Sequence, residues 1–180
     1  MVTRWDTVEV CRRENFKIFD LSLIRRKHPG WGKVSEFVVL DSADWVNIIP
    51  VTKQNNVILI EQFRHGINDV TIEIPGGLIE SGEEPRFAGE RECIEETGYA
   101  GSGDAVLLGV TTPNPAFLNN KCYSYLWLDC ERKFEQNLDA NEDIHVIEVP
   151  LKDIYEYIKS GKIRHSLVLN AFFFYFLNRS

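Results

Sequence analysis

The chain has 180 residues, 44% of them hydrophobic and 26% charged, with a net charge of −7. That length suits one domain with a sizeable core, and the composition is that of a soluble globular protein. The negative balance argues against a nucleic-acid or anionic-membrane partner, because binding to phosphate backbones draws on an excess of Lys and Arg.

The elements follow in chain order. Residues 1–10 contain no apolar stretch of the secretory type. Residues 7–12 and 16–24 read as strands, the second alternating only roughly. The run His28-Pro29-Gly30-Trp31-Gly32 is a turn, and residues 37–40 and 45–50 are apolar strand candidates. Asn55-Asn56 turns the chain into Val57-Ile58-Leu59-Ile60, which has the pattern of a strand buried on both faces. Residues 71–74 form a short strand leading into Pro75-Gly76-Gly77.

A well-bounded helix comes next. Ser81-Gly82 breaks the chain, Glu83 and Glu84 favour a helix N-terminus, and Pro85 suits the first turn. Gly98 is placed for a left-handed C-cap after Thr97. Gly89, inside the helix, costs about 1 kcal/mol relative to Ala, which points to close packing there. Beyond it, residues 105–111, 122–128 and 145–149 read as strands, with a loop rich in Pro and Asn over 112–120. Residues 151–159 form an amphipathic helix with Leu151, Ile154, Tyr155 and Ile158 on one stripe. The apolar run within the final helix, 166–177, is too short to span a bilayer and reads as a buried core helix. The interspersed order predicts an α/β or α+β fold with a mixed sheet and flanking helices. The cysteines, Cys11, Cys93, Cys122 and Cys130, form no C-x-x-C pair; they read as buried free thiols in a reducing cytoplasm.

Within the first helix stands Arg91-Glu92-Cys93-Ile94-Glu95-Glu96. An α-helix turns about 100° per residue, so Glu92 shares a stripe with Glu95 and Glu96. Like charges at that spacing destabilise a bare helix, and a divalent cation between them removes the penalty. Carboxylate oxygens suit Mg²⁺ or Mn²⁺, which commonly bridge to phosphate. Without other context such a helix is a solvated acidic face.

The context is a longer pattern. Residues 77–99 resemble the signature of the Nudix hydrolases, G-x5-E-x7-R-E-U-x-E-E-x-G-U, where U is a bulky apolar residue. Gly77, Glu83, Arg91, Glu92, Glu95, Glu96 and Gly98 fill every fixed position, while Cys93 and Tyr99 are looser fits at U. Glu61-Gln62-Phe63-Arg64, residues 73–80, Asn141-Glu142-Asp143-Ile144 and Gly161-Lys162-Ile163 resemble the ADP-ribose pyrophosphatase branch. So does Pro115, which stands 16 residues beyond the signature. Relatives in that branch also hydrolyse GDP-mannose and other nucleotide sugars.

The resemblance implies a mixed sheet sandwiched between helices. It implies a Mg²⁺ site, open also to Mn²⁺, made by Glu92, Glu95, Glu96 and the backbone carbonyl of Gly76. Glycine at 76 stands where alanine is usual and would add flexibility. Arg91 would pair with Glu83 or another signature carboxylate. The general base would lie on a loop between the last strands, with Glu142 the best match and Asp139, Asp143 or Glu95 as alternatives. Relatives often carry a further glutamate where this chain has Ala140. Arg64 would contact the diphosphate or cap a carbonyl. Glu73 would support the site or meet a substrate hydroxyl, unless it is a plain edge-strand glutamate. Phe19 or Trp31 would stack on the base across a dimer interface, core packing being the competing role for Phe19. His28, His65, His145 and His165 show no ligand spacing. Residues 1–42 would be a β-rich dimerisation part and 43–180 the catalytic domain. The implied activity is metal-dependent hydrolysis of the diphosphate of ADP-ribose or another nucleoside diphosphate sugar by a homodimer. The competing readings are a non-catalytic nucleotide sensor, which would be expected to lose signature glutamates, and a hydrolase of NADH, triphosphates or dinucleoside polyphosphates.

Overall fold

The computed structural model describes residues 1–178, which divide into two units. The first holds Met1–Asp44 and Thr112–Lys121. Its strands β1 (Asp6–Phe16), β2 (Phe19–Lys27) and β3 (Val34–Asp41) form an antiparallel sheet in that order. Phe16 pairs with Phe19 across Lys17-Ile18. The strand expected over 16–24 therefore crosses a hairpin turn, and its rough alternation is the mark of a chain reversal. His28 N donates to Lys33 O to close the expected turn, with Gly32 at φ 65. The 112–121 loop joins this unit where Leu40 N donates to Phe117 O and Asn119 Nδ2 to Asp41 Oδ1. Strand β1 is exposed along nearly its whole length. Cys11 lies on it and is exposed, unlike the other three thiols.

The second unit holds Trp45–Thr111 and residues 122–178. Its strands are β4 (Trp45–Thr52), β5 (Asn56–Arg64), β6 (Asp69–Glu73), β7 (Gly76–Leu78), β8 (Tyr99–Ala100), β9 (Val106–Thr111), β10 (Cys122–Arg132) and β11 (Ile144–Pro150). The helices are α1 (Pro85–Thr97), α2 (Ile154–Lys159) and α3 (Ser166–Leu177). The mixed sheet runs β11-β5-β4-β10-β8, with β6 on β5, β7 on β4 and β9 on β10. β4 and β10 are parallel; the other pairs are antiparallel.

Alternation along β4 divides the core. Val46 and Ile48 pack with Ala88 and Cys93 of α1 on one face. Ile49 and Val51 pack with Val168, Ala171 and Phe172 of α3 on the other. Side chains of a strand alternate between faces, so one strand with apolar residues at successive positions serves both helices. The sheet is thus sandwiched between α1 and the pair α2–α3, an α+β arrangement.

The helix signals resolve in detail. A Cβ on Gly89 would sit 3.0 Å from Val46 Cγ2, so glycine lets α1 approach β4. Gly98 caps α1 at φ 75, its N–H donating to Ile94 O. Glu84 is the N-cap residue but makes no side-chain cap bond. The helix expected over 151–159 opens with a 3₁₀ turn, Leu151–Asp153, before α2. α3 buries Val168, Ala171, Phe172 and Tyr175 and leaves Phe173 and Leu177 exposed. It covers the sheet with one face and does not lie wholly inside the core. Among the described residues no helix is long and apolar enough to cross a membrane.

Candidate active site

The site is built where α1 closes on β7. Hydrogen-bonded pairing sets Gly76 against Asn47 and Gly77 against Val46 on β4. A Cβ on Gly76 would lie 2.4 Å from Val46 O and 2.8 Å from Asn47 Cα. Backbone meets backbone there, so glycine at 76 answers to close approach and not to flexibility. A Cβ on Gly77 would lie 2.5 Å from Glu92 Oε1. Absence of that atom lets a helix carboxylate rest against the strand. On the other side, Gly76 N donates to Glu96 Oε2 at 3.0 Å.

Arg91 organises the acidic stripe. Its Nε and Nη2 reach the two oxygens of Glu83 at 3.0 and 3.1 Å, the expected partner. Its Nη1 reaches Glu92 Oε1 at 2.9 Å and Glu95 Oε2 at 3.0 Å, and Nη2 also donates to Leu78 O. A planar guanidinium making five such bonds locks the loop before α1 to the helix. The Arg91 hydrogen bond holds the Glu83 carboxyl below its ordinary value. Glu83 thus anchors Arg91 and, through Oε2, also accepts from Glu80 N at 3.0 Å.

Glu92, Glu95 and Glu96 open into a cleft of about 430 Å³. Asp139 and Glu142 line it from the loop before β11, and Gln62 and Arg64 from β5. Glu142 Oε2 accepts from Asp139 N at 3.0 Å, which holds the loop in a tight turn. Asp143 is not among the lining residues. Glu96 is only 3% exposed. Burial pushes its carboxyl up to about 8; the charges of Glu92 and Glu142 add to the rise, and the Gly76 N–H opposes it. Burial also raises Glu92, against the pull of Arg91.

That electrostatic state tests the fit to a metal. The donors are all oxygen, the set that hard divalent cations prefer. Glu96 is buried and Glu92 partly so, and burial together with neighbouring carboxylates disfavours the ionised form of both. A divalent cation would favour the ionised form of both, so the residues fit Mg²⁺ or Mn²⁺. Among the described residues no three acidic, His or Cys side chains already surround one point, since Glu92 and Glu95 share Arg91 Nη1.

Among the described residues Arg64 caps no carbonyl. Its Nε and Nη2 donate to Glu73 Oε1 and Oε2, both at 2.8 Å. It also lines a second cavity of about 330 Å³, which adjoins Gly76 and Gly77 and includes Trp45, Asn47 and His165. Phe19, Trp31 and Pro115 belong to the first unit. Phe19 packs on Phe16 at 5.2 Å between ring centroids, Trp31 stacks on His28 at 3.9 Å, and Pro115 borders an apolar groove with Trp5 and Phe37. Sequence reasoning missed Gln62, Glu80 and Asn137 as lining residues of the cleft. Period-two alternation could have found Gln62, which shares a strand face with Arg64. No local signal marks Asn137.

The sequence profile of the NUDIX domain matches residues 42–171. The chain is 31% identical over 141 residues to the methanol dehydrogenase activator of Bacillus methanolicus, covering 78% of this chain and 76% of that one. It is 30% identical over 148 residues to the ADP-ribose pyrophosphatase of Bacillus subtilis (strain 168), covering 82% and 79%. The GDP-mannose pyrophosphatase of Escherichia coli O9:H4 (strain HS) is 31% identical over 121 residues, covering 63% and 62%. A crystal structure of an ADP compounds hydrolase superimposes with a TM-score of 0.84 over 97% of this chain and 93% of the other. At 17% identity that likeness shows a shared fold. The profile spans more than half of the chain and two relatives align over most of their own length, so the chain belongs to the NUDIX family.

Proposed function

We propose that this NUDIX protein is a Mg²⁺-dependent pyrophosphohydrolase. It cleaves the diphosphate of ADP-ribose or another nucleoside diphosphate sugar, releasing a nucleoside monophosphate and a sugar phosphate. The observation that carries the reading is the pair Glu92–Glu96, set against the glycines of β7 at the edge of an all-oxygen cleft with the ionised form of both disfavoured. The ADP-ribose and GDP-mannose pyrophosphatases among its relatives support the substrate class.

Mg²⁺ bound there would neutralise the diphosphate, lower the pKa of a bound water and stabilise the departing phosphate oxygen. The chain's own residues do the rest. Glu92, Glu95, Glu96 and the Gly76 carbonyl would hold the cation. Arg91 keeps the carboxylates in register. Glu142, across the cleft, takes the proton of the attacking water, with Asp139 and Glu95 the alternative bases. Arg64 meets the diphosphate. Water adds to one phosphorus, and the P–O bond to the bridging oxygen breaks.

The first unit supports a two-fold dimer. Both faces of β1 are bare, with Val8 and Val10 half-exposed, and a small sheet with uncovered faces is marginal alone. Phe19 or Trp31, both in that unit, is proposed to stack on the base, and Pro115 is proposed as a substrate-binding residue. The buried free thiols of Cys93 and Cys130 support a reducing, cytoplasmic setting.

The direct test offers ADP-ribose, GDP-mannose, NADH, dGTP and diadenosine polyphosphates with and without Mg²⁺, and measures the products. Metal-dependent hydrolysis led by the diphosphate sugars is the expected result. Preference for triphosphates or dinucleoside polyphosphates would refute the substrate class. Tight binding without turnover would make the protein a sensor.

A further inference from the structure

Glu73 ends β6 and is 2% exposed. A carboxylate so buried needs partners, and it has four contacts. Oε1 accepts from Arg64 Nε at 2.8 Å and from Thr71 Oγ1 at 2.5 Å. Oε2 accepts from Arg64 Nη2 at 2.8 Å and lies 3.1 Å from His165 Nδ1. The His165 contact is one of proximity, too poorly aligned to count as a hydrogen bond. Burial pushes the carboxyl up, but the hydrogen bonds from Arg64 and Thr71, with the His165 ring close by, outweigh it and hold Glu73 well below the carboxylate range. A carboxylate offers about four acceptor positions, so these partners leave Glu73 little capacity for a substrate hydroxyl.

Arg64 is the opposite case. Its side chain is 42% exposed and borders both the carboxylate cleft and the second cavity. Glu73 takes Nε and Nη2 in a two-pronged grip. Nη1 makes no hydrogen bond among the described residues. The grip fixes the guanidinium plane, which a lone arginine at a strand end would not hold.

We infer that Glu73 is a positioning residue that locks Arg64 so that Nη1 is presented, at the junction of the two cavities, to the diphosphate of the substrate. The inference rests on the pyrophosphohydrolase reading for its substrate class. Thr71 and His165 brace the carboxylate from β6 and from the start of α3, so the cationic contact is mounted on two elements of the scaffold. A mere staple between β5 and β6 would have the same distances, and the two roles part in their kinetics.

The experiment is a double-mutant cycle of Arg64→Ala, Glu73→Gln and the pair in the full chain with Mg²⁺. It reads KM and kcat for ADP-ribose and, by calorimetry, the affinity for ADP. Loss of one charge-assisted contact corresponds to roughly a tenfold change in KM and in ADP affinity. Glu73→Gln should produce that change with kcat within about threefold, and it should add less than about twofold once Arg64 is Ala, because coupled residues are not additive. Thr71→Val, which keeps the ion pair, should raise KM by about two- to threefold, and it serves if Glu73→Gln fails to fold. Full additivity, or a Glu73→Gln effect on melting temperature alone, would overturn the inference. If the wild type hydrolyses no diphosphate sugar, the activity reading falls, and the same cycle read on ADP affinity still decides the role of Glu73.

Discussion

Glu96 sits 3% exposed between a strand backbone and other carboxylates. Apart from the Gly76 N–H bond the position disfavours an ionised carboxyl, a common sign of a residue kept for chemistry. Glu96→Gln keeps the volume and an acceptor for the Gly76 N–H. We expect the melting temperature in metal-free buffer to hold or rise, and turnover to fall by about 10³-fold or more, several kcal/mol of barrier. Mg²⁺ should raise the melting temperature of the wild type and much less that of the variant. Near-normal turnover would refute the metal site. Gly76→Ala should destabilise by about 1–3 kcal/mol, since its Cβ meets β4 backbone that cannot move aside. The urea midpoint reads this; an unchanged midpoint would mean that β7 and β4 can separate. Glu73 sets a pH dependence whose sign follows from its partners. Its folded value lies below the ordinary 4.5, so its contribution is present above that pH and is lost as pH falls below it. Acid unfolding should show a shallower slope below about pH 4.5 in Glu73→Gln than in the wild type.

At the scale of elements, α3 shows how an apolar run divides. Phe172 is fully buried against β4 and β5, while Phe173 is 59% exposed. Phe172→Ala should cost about 3–5 kcal/mol and Phe173→Ala under about 0.5 kcal/mol by chemical denaturation. Equal costs would mean that the outer face is covered in solution. α1 is the reverse case, a polar helix whose place is fixed by glycines and by Arg91. Its boundaries were plain from Pro85 and Gly98, because caps are local chemistry. The hairpin turn at Lys17-Ile18 carries no glycine, asparagine or proline, so nothing local announced it. β8, two residues long, left no period to read.

At the scale of the whole molecule, the uncovered β1 predicts self-association. Sedimentation equilibrium should give a dimer, and Val10→Glu should shift it toward monomer by placing charge on an apolar strand. A monomeric wild type would remove the dimer from the proposal. The sequence by itself determined the signature, the ends of α1 and α3, the mixed order of strands and helices, and that Arg91 pairs with a signature carboxylate. These depend on spacing within a few residues or on a motif of fixed length. Only the tertiary structure decided that Gly76 is a point of backbone contact, that Arg64 is gripped by Glu73, that the 112–121 loop belongs with the first unit, and that Glu142 lines the cleft of Glu92 and Glu96. Each of these depends on how strands and loops pair in space, and a carboxylate's charge state follows from burial and neighbours that no local pattern specifies.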